Sequence, residues 1–162
     1  FSLYTNSDSF VAAWVKLLDL PTGGTQYTLC GFSLDSRINA IFWYNGGLGW
    51  YTDSGGKNVR FPVTSMTDHA SKPTFVVFSQ EQSGQIRRIY TNGYLAVSSN
   101  YVGQAKIESG PWGALVGCLQ DSVSGVNFFK GTIYDFMSST NRGITSNEQF
   151  QIYTQTKGIY GL

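Results

Sequence analysis

Charge, histidine and cysteine are all scarce in this chain, and each shortage removes a class of function. Only 13% of the 162 residues are charged and the formal net charge is +1, so no broad field draws the chain to nucleic acid or to an anionic membrane. No apolar run approaches the roughly 18 residues that a membrane-spanning helix needs. A single histidine, His69, leaves few routes to a Ser-His-Asp triad, and there is no Gly-x-Ser-x-Gly elbow, Walker loop or Gly-x-Gly-x-x-Gly fingerprint. Glu81, Glu108 and Glu148 each stand without another carboxylate within five residues, so the local carboxylate pair of a glycoside hydrolase is missing too. His69 itself lies in the turn-like stretch Met66–Ser71 and reads as a bland surface residue. Cys30 and Cys118 sit in apolar, strand-like contexts at no zinc spacing, and read as small buried hydrophobes before a disulfide. Binding, not catalysis, is the expected role.

What the chain does have is aromatic residues (15%), hydrophobic residues (41%) and 19 glycines against 4 prolines, a profile that suits a compact all-β domain and not disorder. Its length fits one domain over residues 1–162. A start at Phe1 with no signal-peptide pattern reads as a domain excised from a longer protein.

Strand signals recur at short intervals. Ser9–Leu18 is apolar on both faces, with Phe10, Ala12 and Trp14 on one and Val11, Ala13 and Val15 on the other, which predicts a central strand. Further strands are predicted at Gln26–Leu34, Ala40–Tyr44, Gly49–Thr52, Asn58–Val63, Thr74–Ser79, Leu115–Leu119, Val126–Phe129 and Gly131–Met137. Asn92-Gly93 between two strand-like runs predicts a two-residue type I′ hairpin, because both turn positions need positive φ. That loop pairs Thr91 with Tyr94, Tyr90 with Leu95 and Arg88 with Val97, so Ile86, Arg88, Tyr90, Leu95 and Val97 are expected to share a face. Arg87, on the opposite face, is expected to be solvated. Near the C-terminus a capping box is available in two registers, Thr145 with Glu148 or Ser146 with Gln149, and Phe150 and Tyr153 would pin a helix of about two turns. The predicted fold is an all-β, two-layer antiparallel β-sandwich of the lectin-like jelly-roll type, with one short C-terminal helix.

The order of these elements resembles the laminin G-like and concanavalin-like superfamily. The resemblance rests on Ser9-Phe10-Val11-Ala12-Ala13-Trp14-Val15-Lys16, Tyr90-Thr91-Asn92-Gly93-Tyr94-Leu95, Phe129-Lys130-Gly131-Thr132-Ile133-Tyr134-Asp135 and Ser146-Asn147-Glu148-Gln149. A more local likeness, Asn6–Phe10 followed by Thr25–Gly31 with the Tyr160-Gly161-Leu162 ending, resembles the galectin-like head of rotavirus spike proteins. Both imply a sandwich that binds a glycan or a host-surface receptor without chemistry. Topologies of the two kinds stay open at this level. Jelly-roll lectins often use calcium, and Asp53, Asp121 and Asp135 are scattered where one could be held. No Asp-x-Asp loop is present, however, and no metal or other cofactor is expected.

Candidate site residues follow from sugar chemistry, in which apolar C–H faces stack on aromatic rings while hydroxyls seek polar partners. Ile41–Tyr51 places Trp43, Tyr44, Trp50 and Tyr51 among three glycines, beside Asn45 and Arg60. Strand alternation buries some of these rings, so at least one is expected at the ligand and the rest in the core. Arg88 with Tyr90 forms a second candidate pair, weighed against a purely structural role. Tyr101 and Trp112 read as loop anchors. The expected partner is a cell-surface glycan or glycoprotein, met by the attachment module of an extracellular or virion-surface spike or adhesin, with neither nucleic acid nor membrane insertion. The alternative is a structural or protein–protein interaction module of a larger surface assembly, and the oligomeric state of the parent stays open.

Overall fold

The computed structural model describes residues 8–34, 37–45, 47–54, 67–81, 83, 85–100, 115–121, 124–140 and 142–162. The strands are β1 (Ser9–Leu17), β2 (Gln26–Leu34), β3 (Arg37–Tyr44), β4 (Gly47–Ser54), β5 (Thr74–Glu81), β6 (Ile86–Thr91), β7 (Tyr94–Asn100), β8 (Leu115–Val116), β9 (Leu119–Asp121), β10 (Ser124–Val126) and β11 (Gly131–Ser139). They build a five-stranded sheet, β11-β1-β5-β6-β7, and a six-stranded sheet, β10-β9-β2-β3-β4 with β8 also on β2. Among the described residues the pairings are antiparallel except β2 with β9, which is parallel. The expected Asn58–Val63 strand lies outside the described residues. The expected Leu115–Leu119 strand is broken at Gly117 (φ 85), and the one expected at Val126–Phe129 lies instead at Ser124–Val126, ending where Asn127 turns to φ 51.

β1 is central, as its apolar faces require. Between the sheets, Val11, Ala13, Val15 and Leu17 pack with Val76, Phe78 and Ile89 of the same sheet and with Tyr27, Leu29, Ile41, Trp43, Leu48 and Trp50 of the other. A register shift between Thr28 and Cys30 leaves Leu29 unpaired against β3, and both Leu29 and Cys30 join this core. Cys30 and Cys118 are both buried free thiols. The opposite face of β1, with Phe10, Ala12 and Trp14, meets Phe75, Val77 and Tyr90 and is covered by the C-terminal helix.

That helix, α1 (Ser146–Thr156), uses the first of the two capping registers: the Thr145 side chain accepts from the Glu148 amide, and Glu148 reaches back to Thr145. Tyr153, Ile152 and Tyr160 cover Trp14, whose ring lies 4.4 Å from Tyr160 and 5.9 Å from Tyr153 by centroids. The indole Nε1 donates to Thr156 Oγ1 at 2.9 Å, which satisfies the one polar atom of the buried ring. Phe150 packs against Tyr94 and the Gly93 turn while 43% exposed, and Gln149 is the buried contact, donating to the Gly93 carbonyl at 2.8 Å.

The β6–β7 hairpin turns as expected at Asn92 (φ 50) and Gly93 (φ 83). Asn92 is tied further to β5, its amide donating to the Phe75 carbonyl while its Oδ1 accepts from the Phe75 amide. Beyond Tyr90–Leu95 the register slips by one residue, so Ala96 is unpaired, Ile89 faces Val97 and Arg88 faces Ser98. Val97 therefore packs into the inter-sheet core, not beside Arg88 as the unbulged turn predicts. His69 also departs from expectation. It is buried in a 3-10 turn, Thr67–Ala70, and its Nδ1 accepts from Trp43 Nε1 at 3.2 Å.

Gly93 carries a double constraint. Its φ is left-handed, and an added Cβ would lie 2.8 Å from the Tyr153 ring and 2.9 Å from the Phe150 ring. Gly93→Ala should therefore lower stability by more than about 1 kcal/mol in urea unfolding. A neutral result would mean that the helix does not press on the hairpin.

Candidate functional site

Polar residues on the outer face of the five-stranded sheet collect where α1 does not cover it. Ser79 of β5 and Arg88 of β6 are register partners on that face, with Tyr90 one pleat further along. Asp8 precedes β1, Glu81 ends β5, and Arg142–Ser146 lead into α1. Together they line a cleft of about 550 Å³ whose wall includes the helix start.

Bonds between wall and floor hold it in shape. Tyr90 Oη and Ser146 Oγ share a hydrogen bond of 3.0 Å, and Ser79 Oγ donates to the Ile144 carbonyl at 3.4 Å. Arg88 Nη1 lies 3.0 Å from Glu81 Oε2, with the two side chains 28% and 41% exposed. Arg142 Nη1 lies 2.6 Å from Glu148 Oε1. The Thr145 amide, the Arg142 guanidinium and the Thr145 hydroxyl hold the Glu148 carboxyl down to about 2. The site thus presents guanidinium and hydroxyl donors beside carboxylate and hydroxyl acceptors. Among the described residues no group of three or more His, Cys, Asp or Glu could hold a metal ion. The one histidine is buried against Trp43 and supplies no imidazole here.

Of the expected site residues, Arg88 and Tyr90 are brought together in this cleft, Tyr90 bonded to Ser146 through its hydroxyl, packed by its ring and 2% exposed. Trp43 and Trp50 are corrected to core residues, 0% and 1% exposed, because alternation along β3 and β4 turns both rings between the sheets. Tyr44 is half-buried and Asn45 exposed at the β3–β4 turn, on the other sheet, where Asn45 Oδ1 accepts from the Gly24 amide at 3.1 Å. Arg60 lies outside the described residues, as does the side chain of Tyr51. Of the two adjacent arginines, Arg87, expected to be solvated, is the one that departs from expectation. Arg87 is 2% exposed on the inner face, where its Nε donates to Gln80 Oε1 at 2.9 Å and its guanidinium lies 4.4 Å from the Trp50 ring. Sequence reasoning misses Asp8, Ser79, Glu81 and Arg142–Ser146. A usable signal was present in Glu81 and Arg88, opposite charges at the facing ends of two neighbouring strand-like runs.

No family model matches the chain, and no curated protein matches it by sequence. Solved structures share its fold. A NanB sialidase from Streptococcus pneumoniae superimposes with a TM-score of 0.72 at 18% identity, covering 91% of this chain and 24% of the sialidase. The CBM40 of the Ruminococcus gnavus IT-sialidase, bound to α2,3 sialyllactose, gives 0.70 at 12% identity and covers 92% of this chain and 84% of that one. The binding domain of Paraclostridial Mosquitocidal Protein 1 gives 0.69 at 14% identity, with 94% and 38% covered. This chain thus spans about a quarter of the sialidase chains it resembles. These likenesses establish the two-layer β-sandwich fold.

The depressed Glu148 carboxyl sets an acid limit on the capped start of α1. Its folded value lies below its ordinary 4.5, so its stabilisation is complete above that range and is lost as pH falls toward about 2. Acid titration by circular dichroism should show loss of helix signal across that window, and Glu148→Gln should abolish the transition. An unchanged titration in the variant would remove Glu148 from the account.

Proposed function

We propose that this domain is a non-catalytic glycan-binding module that attaches a larger extracellular or virion-surface protein to a cell-surface glycan or glycoprotein. The observation that carries this reading is the cleft over Ser79, Arg88 and Tyr90, where paired donors and acceptors converge at a shaped edge of the sandwich. Support comes from the fold shared with a carbohydrate-binding module seen with sialyllactose and with a toxin binding domain. The laminin G-like and rotavirus-head motifs point the same way. Binding proceeds with no cofactor and without calcium.

A glycan array with the isolated domain, with and without calcium, tests this reading. Calcium-independent binding to a related set of glycans is expected, and Arg88→Ala and Arg142→Ala should each weaken it about tenfold or more. Both arginines are paired only at the surface, so the melting temperature should move little, by the equivalent of less than about 1 kcal/mol. Trp43→Ala and Trp50→Ala should lose binding only together with folding, at a cost of about 3–5 kcal/mol. A second reading, a protein-interaction module, draws on the exposed ring pair of Tyr94 (69%) and Phe150 (43%), whose centroids lie 6.1 Å apart. Arg88→Ala leaving glycan binding intact would contradict the cleft as its site, and a blank array would favour the interaction module.

A further inference from the structure

We infer that the cleft selects a charge-neutral sugar and reads a pair of adjacent hydroxyls between Arg88 and Glu81; this rests on the glycan-binding reading above. Arg88 and Glu81 stand on neighbouring strands at the β5–β6 end, joined through Nη1 and Oε2 at 3.0 Å. A guanidinium carries five N–H donors and a carboxylate about four lone-pair sites, so the Arg88 bond and the one that Glu81 Oε1 accepts from Ser83 Oγ at 3.4 Å still leave donors and acceptors side by side. Both side chains keep part of their surface in solvent, Arg88 28% and Glu81 41%. Neighbouring sugar hydroxyls have the matching pattern, since each both donates and accepts. One hydroxyl accepts from Arg88 while the other donates to Glu81, and the Arg88–Glu81 bond fixes the spacing between them.

Charge points to the same ligand. Among the described lining residues, Arg88 and Arg142 are balanced by Asp8 and Glu81. Arg142 is moreover held by Glu148 at 2.6 Å. A sugar acid would meet two guanidiniums that already carry carboxylates, with Asp8 and Glu81 at the same walls. Displacing Glu81 from Arg88 would leave two like charges together, which disfavours binding. The carboxylate of sialyllactose, the ligand of the Ruminococcus gnavus module, is therefore not what this cleft is charged to receive.

The test is an array of neutral oligosaccharides and their sialylated counterparts, followed by titration calorimetry of the domain with the best neutral hit and with 3′-sialyllactose. Wild type and Glu81→Gln are compared, with thermal melts to show that both are folded. The wild type is expected to prefer the neutral glycan, with affinity changing less than about twofold between low salt and about 0.15 M. Glu81→Gln should weaken the neutral glycan about tenfold and raise the relative affinity for 3′-sialyllactose, because the cleft then loses one negative charge beside Arg88. A wild type that prefers sialylated glycans, or an affinity that falls steeply with salt, would overturn the inference and leave glycan binding standing. So would a Glu81→Gln variant with wild-type preference. A wholly blank array would remove the glycan-binding reading and this inference with it.

Discussion

Trp14 sits where a strand apolar on both faces has to be covered twice. The second sheet covers Val11, Ala13 and Val15, which leaves Phe10, Ala12 and Trp14 facing outward on the other side of β1. A ring the size of Trp14 left in water would forfeit several kcal/mol of burial (about 25 cal/mol per Å² of apolar area), so the chain returns after β11 and lays α1 across it. Tyr153 and Tyr160 supply the cover, and Thr156 takes the indole N–H. Tyr160 is anchored in turn by a hydrogen bond to Asp135 of β11, and burial together with that bond pushes its phenol up to about 12. From this one packing need follows the cleft. Docking the helix on Trp14 and Phe75 brings its capped start to the open end of the same sheet face, where Arg142–Ser146 become a wall opposite Arg88.

The two faces of the five-stranded sheet carry different polar devices. Inside, Gln80 and Arg87 pair across β5 and β6, and Arg87 lies over Trp50, so a buried cation is satisfied at the end of an otherwise apolar core. Outside, Ser79 and Arg88 occupy the next register position and remain within reach of solvent. A one-residue slip of β6 against β5 would exchange the two arginines, which ties the identity of the cleft to the register of the sandwich.

Much of the architecture was legible in the sequence because it rests on local signals. The doubly apolar β1, the Asn92-Gly93 turn and the Thr145–Glu148 capping box each state their geometry within a few residues. Long-range facts were less accessible. Which face of β6 turns inward depends on its pairing with β5, and the bulge at Ala96, invisible in composition, moves Val97 into the core. His69 reads as a surface residue until Trp43, 26 positions away, is seen to donate to it. Trp43 and Trp50 were conspicuous as aromatics, but both were needed for the core. The cleft was legible only in part, through Arg88 and Tyr90, because its other residues come from the chain start, the end of β5 and the approach to α1.

The most direct measurement of the central claim is a backbone amide titration by nuclear magnetic resonance with the strongest array glycan. The account places the largest shift changes at Ser79–Glu81, Arg88–Tyr90 and Arg142–Ser146, on one face of the five-stranded sheet beside α1. Changes concentrated instead at Tyr44, Asn45 and the β3–β4 turn would put the ligand on the other sheet and contradict it.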